Sequence, residues 1–178
     1  MPDTNIPTLT SLDYIPFLDE NGQIGDQFEG KVGVYAIFDQ DRILRFIGYS
    51  RDIALSLKQH LVRQPQQCYW LKVETIDRPS RTILESIRDA WIAENGTIPA
   101  GNAADEATWS QPIDAKRSMT AEEQTAYAKT DELGQIKLLK QVARRVEEQV
   151  LAALTERGVQ MQVRFNPKLK ENGLLDLK

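Results

Sequence analysis

The side chains in this chain that could take part in chemistry are Tyr35, Arg51, His60, Cys68, Glu85 and Asn102. His60 is the sole histidine. It could serve as a general base, but it lies on the apolar face of its helix, which also suits a satisfied core histidine. No second histidine is there to form a metal pair. Cys68 is the sole cysteine. It opens an apolar run without basic neighbours and reads as a buried, inert thiol. One cysteine excludes an internal disulfide and a cysteine-rich zinc site. Tyr35 either packs in a half-buried strand or faces a pocket. Glu85 borders the buried face of its helix, so it is either a solvated carboxylate or a pocket group. Asn102 either caps a loop or joins a site.

The elements that must position these groups are legible in the pattern. Val32 to Phe38 and Ile43 to Tyr49 are rich in β-branched and aromatic residues. The polar Asp39-Gln40-Asp41-Arg42 between them suits a hairpin loop. Gly33 and Gly48 lie inside these runs, where glycine marks a close approach. A helix is predicted from about Asp52 to Arg63, with Ile53, Leu57, His60 and Leu61 on one face. Cys68 to Ile76 reads as a third strand. A second helix runs from about Arg81 to Glu94, and Asn95-Gly96 stops it. The result is a small β-β-α-β-α unit over about residues 32–95.

Residues 1–31 read as an ordered N-terminal arm. Residues 96–119 have no clear period and read as a loop, with Trp109 and Ile113 as candidate anchors. Thr120 and Glu123 match a capping box for a short helix over 121–129. A longer helix is predicted over 131–157. Its Ile136, Leu139, Ala143, Val146, Val150 and Ala153 step by threes and fours, a coiled-coil-like seam. Lys137, Lys140, Arg144 and Arg145 form a basic strip on it, either a solvated face or a contact for phosphate or an acidic partner. Val159 to Phe165 alternates apolar and polar and suggests one more strand. The fold class is α/β (α+β): a small sheet with packed helices plus a C-terminal helical extension. The expected divisions are 1–31, 32–102 and 103–178.

The net charge is −4. Residues 1–102 hold 10 Lys/Arg and 14 Asp/Glu, whereas residues 103–178 hold 12 of each. Nucleic-acid binders usually carry a basic excess, so this balance disfavours nucleic acid. No apolar run is long enough to span a bilayer, and the first residues lack a basic-then-apolar leader. These features predict a cytoplasmic or chloroplast-stromal protein.

At Gly33-Val34-Tyr35 and Phe46-Ile47-Gly48 the chain resembles the GIY-YIG nuclease superfamily. Glu85 falls where that family's metal-binding glutamate lies, and Pro99-Ala100-Gly101-Asn102 looks like the asparagine motif that closes its core. Gly33-Val34-Tyr35-Ala36, Phe46-Ile47-Gly48-Tyr49-Ser50-Arg51 and Ile98-Pro99-Ala100-Gly101-Asn102 also resemble the N-terminal domain of plant chloroplast monothiol glutaredoxins. That domain is a divergent member of the superfamily. No Cys-Gly-Phe-Ser motif occurs, so glutaredoxin chemistry is not implied.

The resemblance implies phosphodiester hydrolysis. Tyr35 would help to activate water, and Glu85 would hold one divalent metal. An arginine on the first helix would bind phosphate. Here the second tyrosine is Phe46 and the helix arginine falls on Ser56. Arg51 and Lys58 are off that helical face, and Arg45 should point the other way. Losing one preorganised charge stabiliser commonly costs about 10²- to 10³-fold in rate. The expectation is therefore a catalytically degenerate domain that works as a protein-binding or assembly module through its extension. It needs no cofactor. The alternative is a divalent-metal-dependent DNA endonuclease with Mg²⁺ or Mn²⁺ on Glu85, Tyr35 as activator, Arg51 as displaced phosphate binder and Asn102 in the motif. A second copy of the chain is a further candidate partner.

Overall fold

A computed structural model describes residues 6–178. Residues 1–5 of the expected arm lie outside them. The chain is mixed α and β and divides into two compact units, one ending at Ser110 and one running from Gln111 to Lys178.

The first unit is built on strands β1 (Ile15–Pro16), β2 (Val32–Phe38), β3 (Leu44–Ser50) and β4 (Trp70–Ile76). They form one antiparallel sheet in the order β1-β4-β2-β3. β2 and β3 pair with Gly33 opposite Ser50 and Tyr35 opposite Gly48. Successive side chains alternate between faces. Tyr35, Phe46 and Gly48 therefore share one face, and Val34, Ala36, Ile47 and Tyr49 share the other.

Helix α1 (Ile53–Arg63) covers the Tyr35 face and buries Ile53, Leu57, His60, Leu61 and Val62. Asp52 caps it by accepting from the Leu55 amide. Helix α2 (Arg81–Asn95) covers the opposite face. Its Leu84, Ile87 and Trp91 pack with Val34, Ala36, Phe38 and Ile47 in one core. Gly96 ends α2 at φ 85°, a left-handed conformation that glycine reaches without strain.

The N-terminal arm is fastened to this unit by hydrogen bonds. Lys72 Nζ donates to the Leu9 carbonyl at 2.7 Å. Trp91 Nε1 donates to the Pro7 carbonyl at 2.9 Å. The Glu94 carboxylate accepts from the Leu9 and Thr10 amides. The expected loop after α2 is more ordered than its lack of period suggested. It holds a 3-10 turn (Ala100–Asn102) and the short helix α3 (Glu106–Ser110), with Trp109 buried.

The second unit contains β5 (Ile113–Asp114), α4 (Ala121–Lys129), α5 (Glu132–Glu156), α6 (Pro167–Lys170) and β6 (Leu174–Leu175). The Thr120–Glu123 capping box forms as expected. Arg145 grips Glu123 with two hydrogen bonds, at 2.7 and 2.8 Å. On α5 the buried residues are Leu139, Val142, Ala143, Val146 and Leu154. The 3,4 seam holds through its middle. Leu154 then replaces Val150 and Ala153, because a straight helix drifts from a 3.5-residue repeat.

The strand expected at Val159 to Phe165 does not form. Of this run, only Phe165 makes a bridge, to Leu177. The alternation survives as burial: Val159, Met161, Val163 and Phe165 are more buried than Gln160, Gln162 and Arg164. Alternating burial needs one covered side only, whereas a strand also needs a neighbour along its length. No helix among the described residues is long and apolar enough to cross a membrane.

Candidate functional site

The side chains of Tyr35 and Phe46 lie over Gly48 on the α1 face of the sheet. A Cβ at Gly48 would stand 2.5 Å from Phe46 Cε1 and 2.8 Å from Tyr35 Oη. The glycine is therefore what lets both rings settle on the strand. Tyr35 Oη lies 2.7 Å from His60 Nε2, in the buried interior. His60 Nδ1 lies 3.0 Å from the Trp109 carbonyl. A carbonyl only accepts, so Nδ1 carries the hydrogen and Nε2 is bare. Tyr35 is thus the donor and neutral His60 the acceptor.

Electrostatics reinforce this assignment. Burial drives the Tyr35 phenol well above its ordinary pKa. Burial also pushes His60 down to about 3, helped by the Arg63 charge and only partly opposed by the bond to Trp109. Phe46 stacks on Trp109 with centroids 5.3 Å apart and parallel planes, and lies 4.6 Å from His60. Gly101 permits this closure: a Cβ there would stand 2.6 Å from the Arg45 carbonyl and 2.9 Å from Trp109 Cδ1. Phe46 therefore packs in an aromatic cluster.

Asn102 is tied to the edge of the sheet. Its Oδ1 accepts from the Ile47 amide at 2.8 Å and its Nδ2 donates to the Ile47 carbonyl at 2.7 Å. A side-chain amide here stands in for one residue of a neighbouring strand. It satisfies the outward peptide groups of β3, which is an edge strand.

Beside the cluster opens a cleft of about 750 Å³. Tyr35, Tyr49, Ser56, Arg63, Arg88 and Asn102 are among its lining residues. Arg63 also donates to the Trp109 carbonyl, at 3.1 Å. The Arg88 guanidinium lies 5.4 Å from the centre of the Tyr49 ring.

Glu85 and Arg51 are placed elsewhere. The Glu85 carboxylate accepts from Arg81 at 2.7 Å and from the Tyr49 hydroxyl at 3.2 Å, through the same oxygen. The Arg81 hydrogen bond holds its pKa below the usual carboxylate range. Arg51 lines a smaller hollow of about 280 Å³ with Tyr49, Ser80 and Arg81. Tyr49 lines both hollows. Tyr35 and Glu85 belong to opposite faces of the sheet, because Tyr35 meets α1 and Glu85 rides on α2. Arg45 pairs with Asp39 at 2.7 Å, directed away from the cleft as the alternation requires.

Glu85 offers a single carboxylate to a divalent ion, and that group is already neutralised by Arg81. An ion there would have only the other carboxylate oxygen open to it and would draw its remaining oxygens from water or a bound phosphate. Among the described residues no group of three His, Cys, Asp or Glu side chains is placed to hold a metal.

The sequence is similar to part of a plant protein. Over 117 residues, 64% of this chain, the sequence is 30% identical to the bifunctional monothiol glutaredoxin-S16, chloroplastic, of Arabidopsis thaliana. The match spans 38% of that protein's length. No protein-family model matches the chain. The resemblance to part of a chloroplast monothiol glutaredoxin is therefore supported by the alignment.

Among the cleft residues not singled out from sequence are Arg63, Arg88 and Tyr49. Each had a signal. Arg63 is seven residues after Ser56, two helical turns along the same face. Arg88 is one turn after Glu85. Tyr49 alternates with Gly48 and so had to reach the α2 side.

Proposed function

We propose that this chain is a GIY-YIG-type domain, catalytically degenerate, that acts as a protein-binding or assembly module. The observation that carries this reading is the hydrogen bond from Tyr35 to His60. A tyrosine that activates water must take up water's proton at its oxygen while giving its own to a base. His60, its pKa pushed down to about 3, is too weak a base for that. Here the phenol is buried, its acidity is suppressed and its proton is already committed to Nε2. His60 in turn is held by Trp109 and has no free lone pair facing the cleft. Phe46 supplies no hydroxyl and Ser56 no charge. Glu85 is paired with Arg81 and is not among the residues that line the cleft.

What remains is a cleft with an apolar side at Ile92 and Ile98, guanidinium groups at Arg63 and Arg88, and carboxylates at Asp89 and Glu106, with Arg88 paired to Asp89 at 3.1 Å. Such a surface suits recognition, with affinity from apolar burial and orientation from the arginines. The buried Cys68 gives no support to thiol chemistry of the glutaredoxin kind. The second unit, with α5 as its longest element, is the expected contact surface for a protein partner.

A second reading is a metal-dependent DNA endonuclease. It is favoured by the two arginines, which would replace the cation missing at Ser56. Plasmid nicking separates the two readings. Pure protein is incubated with supercoiled plasmid and Mg²⁺ or Mn²⁺, beside a Glu85→Ala variant. The module reading predicts equal background nicking in both. Metal-dependent nicking that disappears in Glu85→Ala would replace it with the nuclease reading.

A further inference from the structure

The second unit carries a charged hollow that the cleft of the first unit does not involve. It encloses about 230 Å³ and is lined by Lys140, Arg144, Pro167, Lys168, Lys170 and Glu171. Its cations come from two elements. Lys140 and Arg144 are one turn apart on α5, and Lys168 and Lys170 belong to α6. Lys137 extends the strip one turn further along the same face of α5.

The backbone that presents the lysines is anchored at Asn166, on its N-terminal flank. The Asn166 side chain caps α6 by accepting from the Lys168 amide at 3.1 Å. The Asn166 amide donates to the Asp176 carbonyl at 2.9 Å, beside the Phe165–Leu177 bridge. Two elements therefore bring four cationic residues to one hollow.

Counter-charge in the hollow is short. Lys170 pairs with Glu147 at 2.7 Å. Lys140 is 3.6 Å from Glu171, a looser contact. Among the described residues, Arg144 and Lys168 have no carboxylate within 4.0 Å. Like charges held together repel, and a bound anion relieves that repulsion. A guanidinium presents paired donors that match two oxygens of one phosphate, and ammonium groups add point charge around it.

We infer that this hollow binds a phosphate dianion, free or carried as a phosphomonoester. The test uses the full chain, ¹⁵N-labelled, and follows amide shifts during titration. The probes are inorganic phosphate, a phosphoserine peptide, its unphosphorylated form, and chloride at matched ionic strength. Phosphate and phosphopeptide are expected to shift residues 140–144 and 168–170, and the unphosphorylated peptide and chloride are not. Arg144→Gln with Lys168→Gln is expected to weaken binding about tenfold or more. Lys129→Gln, an exposed control outside the hollow, is expected to leave it unchanged. Equal affinity for both phosphate probes assigns the site to free phosphate, and tighter peptide binding assigns it to a phosphorylated partner. Shifts no larger than those with chloride, or binding unaffected by the Arg144 and Lys168 changes, would overturn the inference. So would binding of a DNA duplex without any response to phosphate.

Discussion

Tyr35 donates its hydroxyl hydrogen to His60 Nε2 at 2.7 Å while His60 Nδ1 donates to the Trp109 carbonyl. One neutral imidazole thereby joins a strand, a helix and the segment that closes over them. Removing the hydroxyl leaves a buried acceptor without its donor. Tyr35→Phe is expected to lose about 1–3 kcal/mol of stability. Urea denaturation checks this through the midpoint, with an unchanged m-value.

His60 also sets a pH dependence. Its folded pKa is lowered to about 3, below the ordinary 6.5. Between those values the unfolded chain takes up a proton that the folded chain refuses. Stability from this group is present above about pH 6.5 and is lost as pH falls toward about 3. The slope within that window is about 1.4 kcal/mol per pH unit for one proton. Stability measured by denaturant from pH 7 to pH 4 is expected to flatten in His60→Gln, once each variant is referenced to its own value at pH 7.

Much of the fold could be read from residue types and periods. The hairpin, both flanking helices, the capping box at Thr120 and the long α5 follow from alternation, 3.6-residue spacing and cap chemistry, all of which act within a few residues. The strand at Val159 to Phe165 did not form, because pairing depends on a partner elsewhere in the chain. The site was legible as a set of residue types but not as a constellation. Tyr35 and Glu85 occur in a plausible order, yet strand parity turns Tyr35 toward α1 while Glu85 is carried by α2. Arg63 takes a place beside the cleft that sequence reasoning sought at Ser56 or Arg51. Trp109, in a stretch without period, supplies the carbonyl that fixes the His60 tautomer.

Asn102 is predicted to act on the sheet edge. Asn102→Ala removes both hydrogen bonds to Ile47 and leaves its peptide groups unpaired. The expected cost is about 1–3 kcal/mol. Hydrogen exchange at the Ile47 amide is expected to quicken well beyond the global change, whereas the Val34 amide follows global stability only.

Trp109 closes the aromatic cluster and is almost fully buried. Trp109→Ala is expected to cost about 3–5 kcal/mol through lost burial and the cavity left over Phe46. Calorimetry measures it as a fall in Tm. Trp109→Phe keeps the stack on Phe46 and is expected to recover a large part of the loss.

The proposed module role requires Tyr35 to be a locked donor to a neutral imidazole rather than a base. Long-range ¹H–¹⁵N spectra of the His60 ring test it directly. The expected spectrum has a protonated Nδ1 and a bare Nε2, unchanged from pH 8 down to about pH 5. An imidazolium at pH 6, or the tautomer with hydrogen on Nε2, would make Tyr35 the acceptor and contradict the account.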